Sequence, residues 1–129
     1  MAAGKGVVSK PSAHSVEETM DRLEAVLHEK NIQIFSRINQ QAEAEKAGLH
    51  MPAAELLIFG NPKAGTPLMI EEPTIGLDLP LKAFAWEDRE GKVWLSYNSP
   101  VYIQDRFAIC EDLMKNISGI GGLVEQAMK

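Results

Sequence analysis

The sequence predicts an α+β fold, a two-layer sandwich in which helices cover one face of a mixed or antiparallel sheet. Three observations predict it. Hydrophobic periodicity gives the element order β-α-β-α-β-α-β-β-α, and its last two strands form a hairpin where a doubly wound fold would carry another crossover. The run Leu56-Leu57-Ile58-Phe59-Gly60 has the length and the β-branched or aromatic content of a strand buried on both faces, near the centre of a sheet. The chain of 129 residues, 45% of them hydrophobic, suits one compact domain that buries about two thirds of its unfolded surface.

In chain order, Val7 and Val8 open a short strand that Pro11 ends. Ser15 and Glu18 form a capping box, and Val16, Met20, Leu23 and Leu27 behind it recur at helical spacing, so a helix runs to about Asn31. Ile32, Ile34, Phe35 and Ile38 make a second strand, with Ile32, Ile34 and Ser36 on one face if it is regular. The strong helix formers from Asn39 to Ala47 predict a short, mostly exposed helix that Gly48 ends. After the apolar run, Gly60-Asn61-Pro62 turns the chain tightly. Thr66-Pro67 then reads as an N-cap followed by proline at the first helical position, with Pro73 closing that helix. Ala83, Ala85 and Glu87 alternate with Phe84, Trp86 and Asp88, and Val93, Leu95 and Tyr97 with Trp94, Ser96 and Asn98. The polar turn Asp88-Arg89-Glu90-Gly91 joins them as an antiparallel hairpin. Ser99-Pro100 starts another helix with an apolar stripe of Ile103, Phe107, Cys110, Met114 and Ile117, broken near residues 108–112. Gly119, Gly121 and Gly122 interrupt the end before a last short helix from Leu123 to Met128. The sheet face away from the helices needs a cover, and a homodimer would supply one.

Charge excludes several classes of function. Lys+Arg 13 against Asp+Glu 18 gives a net charge of -5 with no long run of either sign, which argues against nucleic acid or an anionic membrane as partner. A lone cysteine, Cys110, excludes an internal disulfide and a Cys-rich metal site, and reads as a buried thiol in a reducing compartment. The start MAAGKGVV has no long apolar stretch, and no run approaches a membrane span, so the expected location is cytoplasmic unless a leader has been removed.

No catalytic motif is present. Gly60 and Gly65 have the spacing of a phosphate-binding loop. That motif requires Lys then Ser/Thr after the second glycine, and here Thr66 and Pro67 follow, while Pro62 and Pro67 remove two N–H groups. The three histidines, His14, His28 and His50, lie in different elements without metal-ligand spacing, so no metal site is expected. Cys110 has no basic or His neighbour to activate it. The residues indicate no particular cofactor.

The string Pro52-x-x-Glu55-Leu56-Leu57-Ile58-Phe59-Gly60-Asn61-Pro62-Lys63-x-Gly65-Thr66-Pro67-Leu68-Met69, with Leu77-Asp78-Leu79-Pro80-Leu81-Lys82 and Val93-Trp94-Leu95-Ser96-Tyr97-Asn98, resembles the bacterial domain-of-unknown-function family 302. The resemblance implies a TATA-binding-protein-like α+β fold and frequent dimers, with no established activity. It divides the single domain 1–129 into a family core, 5–107, and a C-terminal helical segment, 108–129. Many relatives resemble Ile-Asp-His-x-Ala where this chain reads Ile38-Asn39-Gln40-Gln41-Ala42. Amides at Asn39 and Gln40 cannot do the proton or metal chemistry of an acid and an imidazole.

Asn61, Lys63, Thr66, Asp78, Lys82, Tyr97, Asn98 and Arg106 come from loops and strand ends that converge if the Leu56 to Gly60 strand lies beside a hairpin strand. Beside an apolar wall of Phe59 and Met69, such polar groups make a small-molecule site, or else a network that locks the loop to the sheet. The leading expectation is a homodimeric binding module for a small anionic ligand at the 60–66 loop, with charge from Lys63, Lys82 and Arg106 and orientation from Asn61 and Thr66. The alternatives are a small enzyme using Asp78 or Tyr97 for proton transfer beside Lys82, and a structural interaction domain.

Overall fold

The computed structural model describes residues 4–129. Five strands, β1 (Val7–Ser12), β2 (Gln33–Asn39), β3 (Ala54–Gly60), β4 (Leu81–Glu87) and β5 (Val93–Asn98), form one sheet in the order β1-β5-β4-β3-β2. Every neighbouring pair is antiparallel. Six helices complete the fold: α1 (Val16–Glu29), α2 (Gln40–Lys46), α3 (Pro62–Glu71), α4 (Pro100–Phe107), α5 (Glu111–Met114) and α6 (Ile120–Met128). A 3-10 turn spans Pro73–Leu77. The two-layer α+β reading holds, and the sheet is wholly antiparallel.

One face of the sheet carries the main core. Met20, Leu23 and Leu27 of α1 and Ile120 and Val124 of α6 pack against Leu57, Phe59, Ala83, Ala85 and Leu95. Alanines at 83 and 85 on the central strand leave room for the helices to lie close. Arg22 Nε donates to the Ala127 carbonyl at 2.9 Å, which fixes α6 along α1. A second, smaller core gathers Leu68, Ile75, Leu79, Ile103, Phe107, Met114 and Ile117 from the segments that leave one end of the sheet. Leu81 touches both cores.

Arg37 ties the layers together. Its Nε donates to Glu55 Oε1 at 2.6 Å, and its Nη1 donates to Asp21 and Glu24 of α1 at 2.7 and 2.6 Å. Burial alone would lower the guanidinium, but the hydrogen bonds to Asp21, Glu55 and Glu24 outweigh it and hold its pKa above the usual range. Helix α1 starts where the capping box places it, with Ser15 Oγ accepting from Glu18 N at 3.1 Å. The reciprocal half of the box is not made. The Glu18 carboxylate lies 3.5 Å from His14 Nδ1 instead.

Several elements differ from expectation. Leu56-Leu57-Ile58-Phe59 lies in β3, one place from the edge, and β4 is the central strand. Only Leu57 and Phe59 are buried, while Leu56 and Ile58 are half-exposed on the open face. Pro11 lies within β1, an edge strand, where a missing N–H is tolerated. Strand β2 is not regular: Ile34 pairs with Phe59 but Ser36 with Ile58, so a bulge at Phe35 sends Ile34 and Ser36 to opposite faces. Helix α3 starts at Pro62, capped by Asn61, and Pro67 is inside it. Cys110 is exposed at the start of α5 because the chain breaks at Ala108, which has φ 54°. Helix α6 starts at Ile120, earlier than the glycines suggest.

Arg37→Met leaves the buried Glu55 without its cation. We expect a loss of up to about 3 kcal/mol, at the low end for a broken buried pair because Asp21 is solvent-exposed. Arg37→Met combined with Glu55→Met should recover most of that in urea denaturation. Equal instability of the single and double variants would show that the network is not what Arg37 contributes.

Candidate functional site

At the end of the sheet where β3 finishes and β4 starts, the two cores do not close on each other. A cavity of about 510 Å³ remains, bounded by Lys30 at the end of α1, Phe59, Gly60 and Asn61, Leu81, and the 115–126 stretch that leads into α6. A second chamber of about 280 Å³ lies beside it, walled by Phe35, Gly65, Thr66, Met69, Leu79 and Pro80. The two share Gly60, Asn61, Ala64, Leu81, Asn116 and Ile117 as a common wall.

The start of α3 is closed to ligands. Asn61 Oδ1 accepts from Lys63 N at 2.9 Å, the Asn61 carbonyl accepts from Ala64 N and Gly65 N at 2.9 Å, and Pro62 has no N–H. Helix α6 differs. No side chain caps it, the first backbone bond across its start is from Leu123 N to Gly119 O at 3.2 Å, and Ile120, Gly121 and Gly122 offer N–H groups that have no partner among the described residues. Gly119 and Gly122 line the larger cavity, and a Cβ at either would meet nothing within 4 Å. A Cβ at Gly121 would stand 3.1 Å from the Tyr97 hydroxyl. Lys30 and Lys115 stand exposed at the cavity rim, and neither is in an ion pair among the described residues. Asn116 Nδ2 donates to the Ala64 carbonyl at 3.0 Å, holding the stretch before α6 against α3. The site thus combines positive charge, free N–H groups and an apolar interior.

The eight residues singled out in the sequence fall in separate places. Asn61 borders both chambers and Thr66 the smaller one. Lys63 is exposed and borders neither. Asp78 and Arg106 pair with each other at 3.1 Å, so Asp78 is not placed as a free base. Lys82 and Asn98 border a depression of about 260 Å³ on the open sheet face with Val7, Leu56, Phe84 and Ser96, and Lys82 Nζ donates to the Pro80 carbonyl at 3.2 Å; Tyr97, paired with buried Ala83, packs against the main core on the helix face. Burial first, and then Glu125, raise the Tyr97 hydroxyl above the usual phenol range, which keeps it neutral near pH 7. Asp78, Lys82 and Tyr97 therefore do not form one proton-transfer site. Asn39 caps α2 by accepting from Ala42 N at 2.9 Å, at the opposite end of the sheet from the cavity. Sequence reasoning missed Lys30, Lys115, Asn116 and the cavity-lining glycines. The Gly119-x-Gly121-Gly122 run was the available signal, but it reads equally as a helix interruption.

The profile of the family described as "Domain of unknown function DUF302" matches residues 8–124. The chain belongs to the DUF302 family. The match reaches into α6. A crystal structure of an uncharacterized conserved DUF302 protein from Bacillus stearothermophilus superposes with TM-score 0.79 over 97% of each chain at 16% identity, which supports the DUF302 fold. Curated relatives are 47% identical over 104 residues: a "Fluoride-specific ion channel FluC 1" of Brucella suis and a protein of the same name from Brucella abortus. The alignment covers 81% of this chain but only 41% and 38% of those relatives, so the chain spans about two fifths of their length. Among the described residues no helix is long and apolar enough to cross a membrane, and no group of three or more His, Cys, Asp or Glu is placed to hold a metal.

Gly122→Ala should raise stability by up to about 1 kcal/mol, since its methyl enters open space and the unfolded chain loses freedom. Gly121→Ala should gain less or lose, because its methyl meets the Tyr97 hydroxyl. Urea denaturation checks both, and equal effects would show that the approach of α6 to Tyr97 is not tight.

Proposed function

We propose that this chain is a homodimeric binding module whose ligand is a small anion, held in the cavity beside Gly60 and Asn61. The observation that carries the reading is the uncapped, glycine-rich start of α6 opening onto the same cavity as two lysines without ion-pair partners. Unpaired N–H groups at a helix start attract negative charge, and a partly enclosed site strengthens that attraction relative to water. The ligand is placed beside the 60–66 loop, but its charge partners are Lys30 and Lys115 rather than Lys63, Lys82 and Arg106. Pairing is assigned to the open sheet face, where Val7, Leu56, Ile58, Phe84, Trp86 and Trp94 are half-exposed. In relatives named as fluoride channels, the matching stretch would be an appended binding unit, with conduction supplied by the remainder of those proteins. A cavity of about 510 Å³ is many times the roughly 30 Å³ share of one water, so it suits a polyatomic anion better than fluoride alone.

Inorganic phosphate titrated into labelled protein should shift the amides of Ile120, Gly121 and Gly122. Lys30→Ala with Lys115→Ala should weaken the affinity at least about tenfold, as expected for loss of charge-assisted contacts, with the melting temperature unchanged. Shifts scattered over the surface, or full affinity in the double variant, would refute the site. Separately, sedimentation should report a dimer that Phe84→Asp converts to a folded monomer. A wild-type monomer at micromolar concentration would refute the pairing.

A further inference from the structure

We propose that the smaller chamber is a binding site in its own right, for one uncharged aromatic molecule of one or two rings. The site does not depend on the anion reading. The bond from Asn116 Nδ2 to the Ala64 carbonyl belongs to the wall between the two chambers, and this ligand lies wholly on one side of it.

The lining sets the charge. Phe35, Met69, Leu79, Pro80, Leu81 and Ile117 supply most of it, and among the described residues no acidic, basic or histidine side chain borders the chamber. A charge carried into it would lose water without gaining an ionic partner. The polar side chains at the wall are Asn61, Thr66 and Asn116, of which Asn61 Oδ1 and Asn116 Nδ2 are already bonded to Lys63 N and the Ala64 carbonyl. Amides and a hydroxyl can orient one ring N–H or O–H, but they cannot neutralise an ion.

Size and wall chemistry set the body. At about 280 Å³ the chamber is roughly twice the apolar cavity of about 150 Å³ that accommodates benzene, which fits one substituted ring or two fused rings. The β2 bulge takes Phe35 out of the strand alternation, and Phe35 and Met69 border the chamber while 46% and 38% exposed. A phenyl ring and a thioether both favour an aromatic partner, the ring by offset or edge-to-face contact and the sulfur at the ring edge. Gly65 shows that the space is kept open. It lies inside α3, where alanine is the better helix former. A Cβ there would meet Leu79 Cδ1 and Met69 Cε at 3.9 and 4.0 Å, which is ordinary contact, so packing does not demand glycine. The missing methyl leaves room in the chamber between Leu79 and Met69.

The test is titration of the labelled full chain with phenol and indole, followed at the Gly65 and Thr66 amides and the Met69 methyl. Cyclohexanol serves as the ring without a π face, and indole-3-carboxylate as the charged counterpart. Indole should saturate these signals and bind at least about threefold more tightly than phenol, because it buries more apolar area. Phenol should exceed cyclohexanol at least about twofold, and indole should exceed indole-3-carboxylate at least about tenfold. Gly65→Ala should raise Tm by about 2–4 °C while weakening indole several-fold, two effects of opposite sign that a purely structural glycine would not give. Gly65→Leu should abolish indole binding. Indole shifts that do not saturate, or that lie outside the chamber, overturn the site. Cyclohexanol equal to phenol overturns the aromatic assignment, and indole-3-carboxylate equal to indole overturns the neutral one. Full indole affinity in the Gly65 variants overturns the placement.

Discussion

The fold depends on a single-sided sheet. Five antiparallel strands bury one face under helices, and α1 alone is too narrow to cover it, so α6 must come back from the far end of the chain to lie beside it. The small side chains of Ala83 and Ala85 under the helices, and the bond from Arg22 to the Ala127 carbonyl, set how closely that layer sits. Burying the side chains of Ile120, Leu123 and Val124 offsets the entropy of ordering a helix that begins with glycines. The position of α6 is therefore decided by the core, and its uncapped start is carried to the sheet end as a consequence.

That placement links packing to chemistry. Helix α6 arrives next to the end of β3, and the stretch before it is pinned to α3 by Asn116. The main core stops at Ile120 and the second core at Ile117, with the cavity in the gap between them. Asn61 and Pro62 satisfy or remove the N–H groups of α3, whereas no side chain caps α6. In this acidic chain of net charge -5, Asp21, Glu24 and Glu55 pair with Arg37 and Asp78 with Arg106, while Lys30 and Lys115 at the cavity rim are in no ion pair among the described residues.

Much of the architecture was legible because short-range signals agreed with the long-range answer. Ser15 and Glu18 mark the start of α1, and the alternation through Ala83, Ala85, Val93 and Leu95 gives both the hairpin and its buried face. Where two local signals competed, the text could not choose. Asn61-Pro62 and Thr66-Pro67 both read as a cap followed by proline, and packing of Leu68 against Ile75 and Ile103 favours the earlier start even though Pro67 then forfeits a helical N–H. The bulge at Phe35 leaves no trace in a run of alternating residues, since it is set by pairing with Ile58 and Phe59. The proposed site was the least legible part. Its charges, Lys30 and Lys115, lie 85 positions apart and are ordinary surface lysines until α1 and the approach to α6 bring them to one rim.

The central claim is that an oxyanion is held at the first turn of α6, between those lysines. A crystal structure grown with low-millimolar selenate tests it most directly, because selenium marks the anion by its own anomalous scattering. The account predicts the strongest selenium peak beside the Ile120, Gly121 and Gly122 amides, within reach of Lys30 and Lys115. Selenium bound only elsewhere on the surface, or absent from a cavity open to solvent, would contradict it.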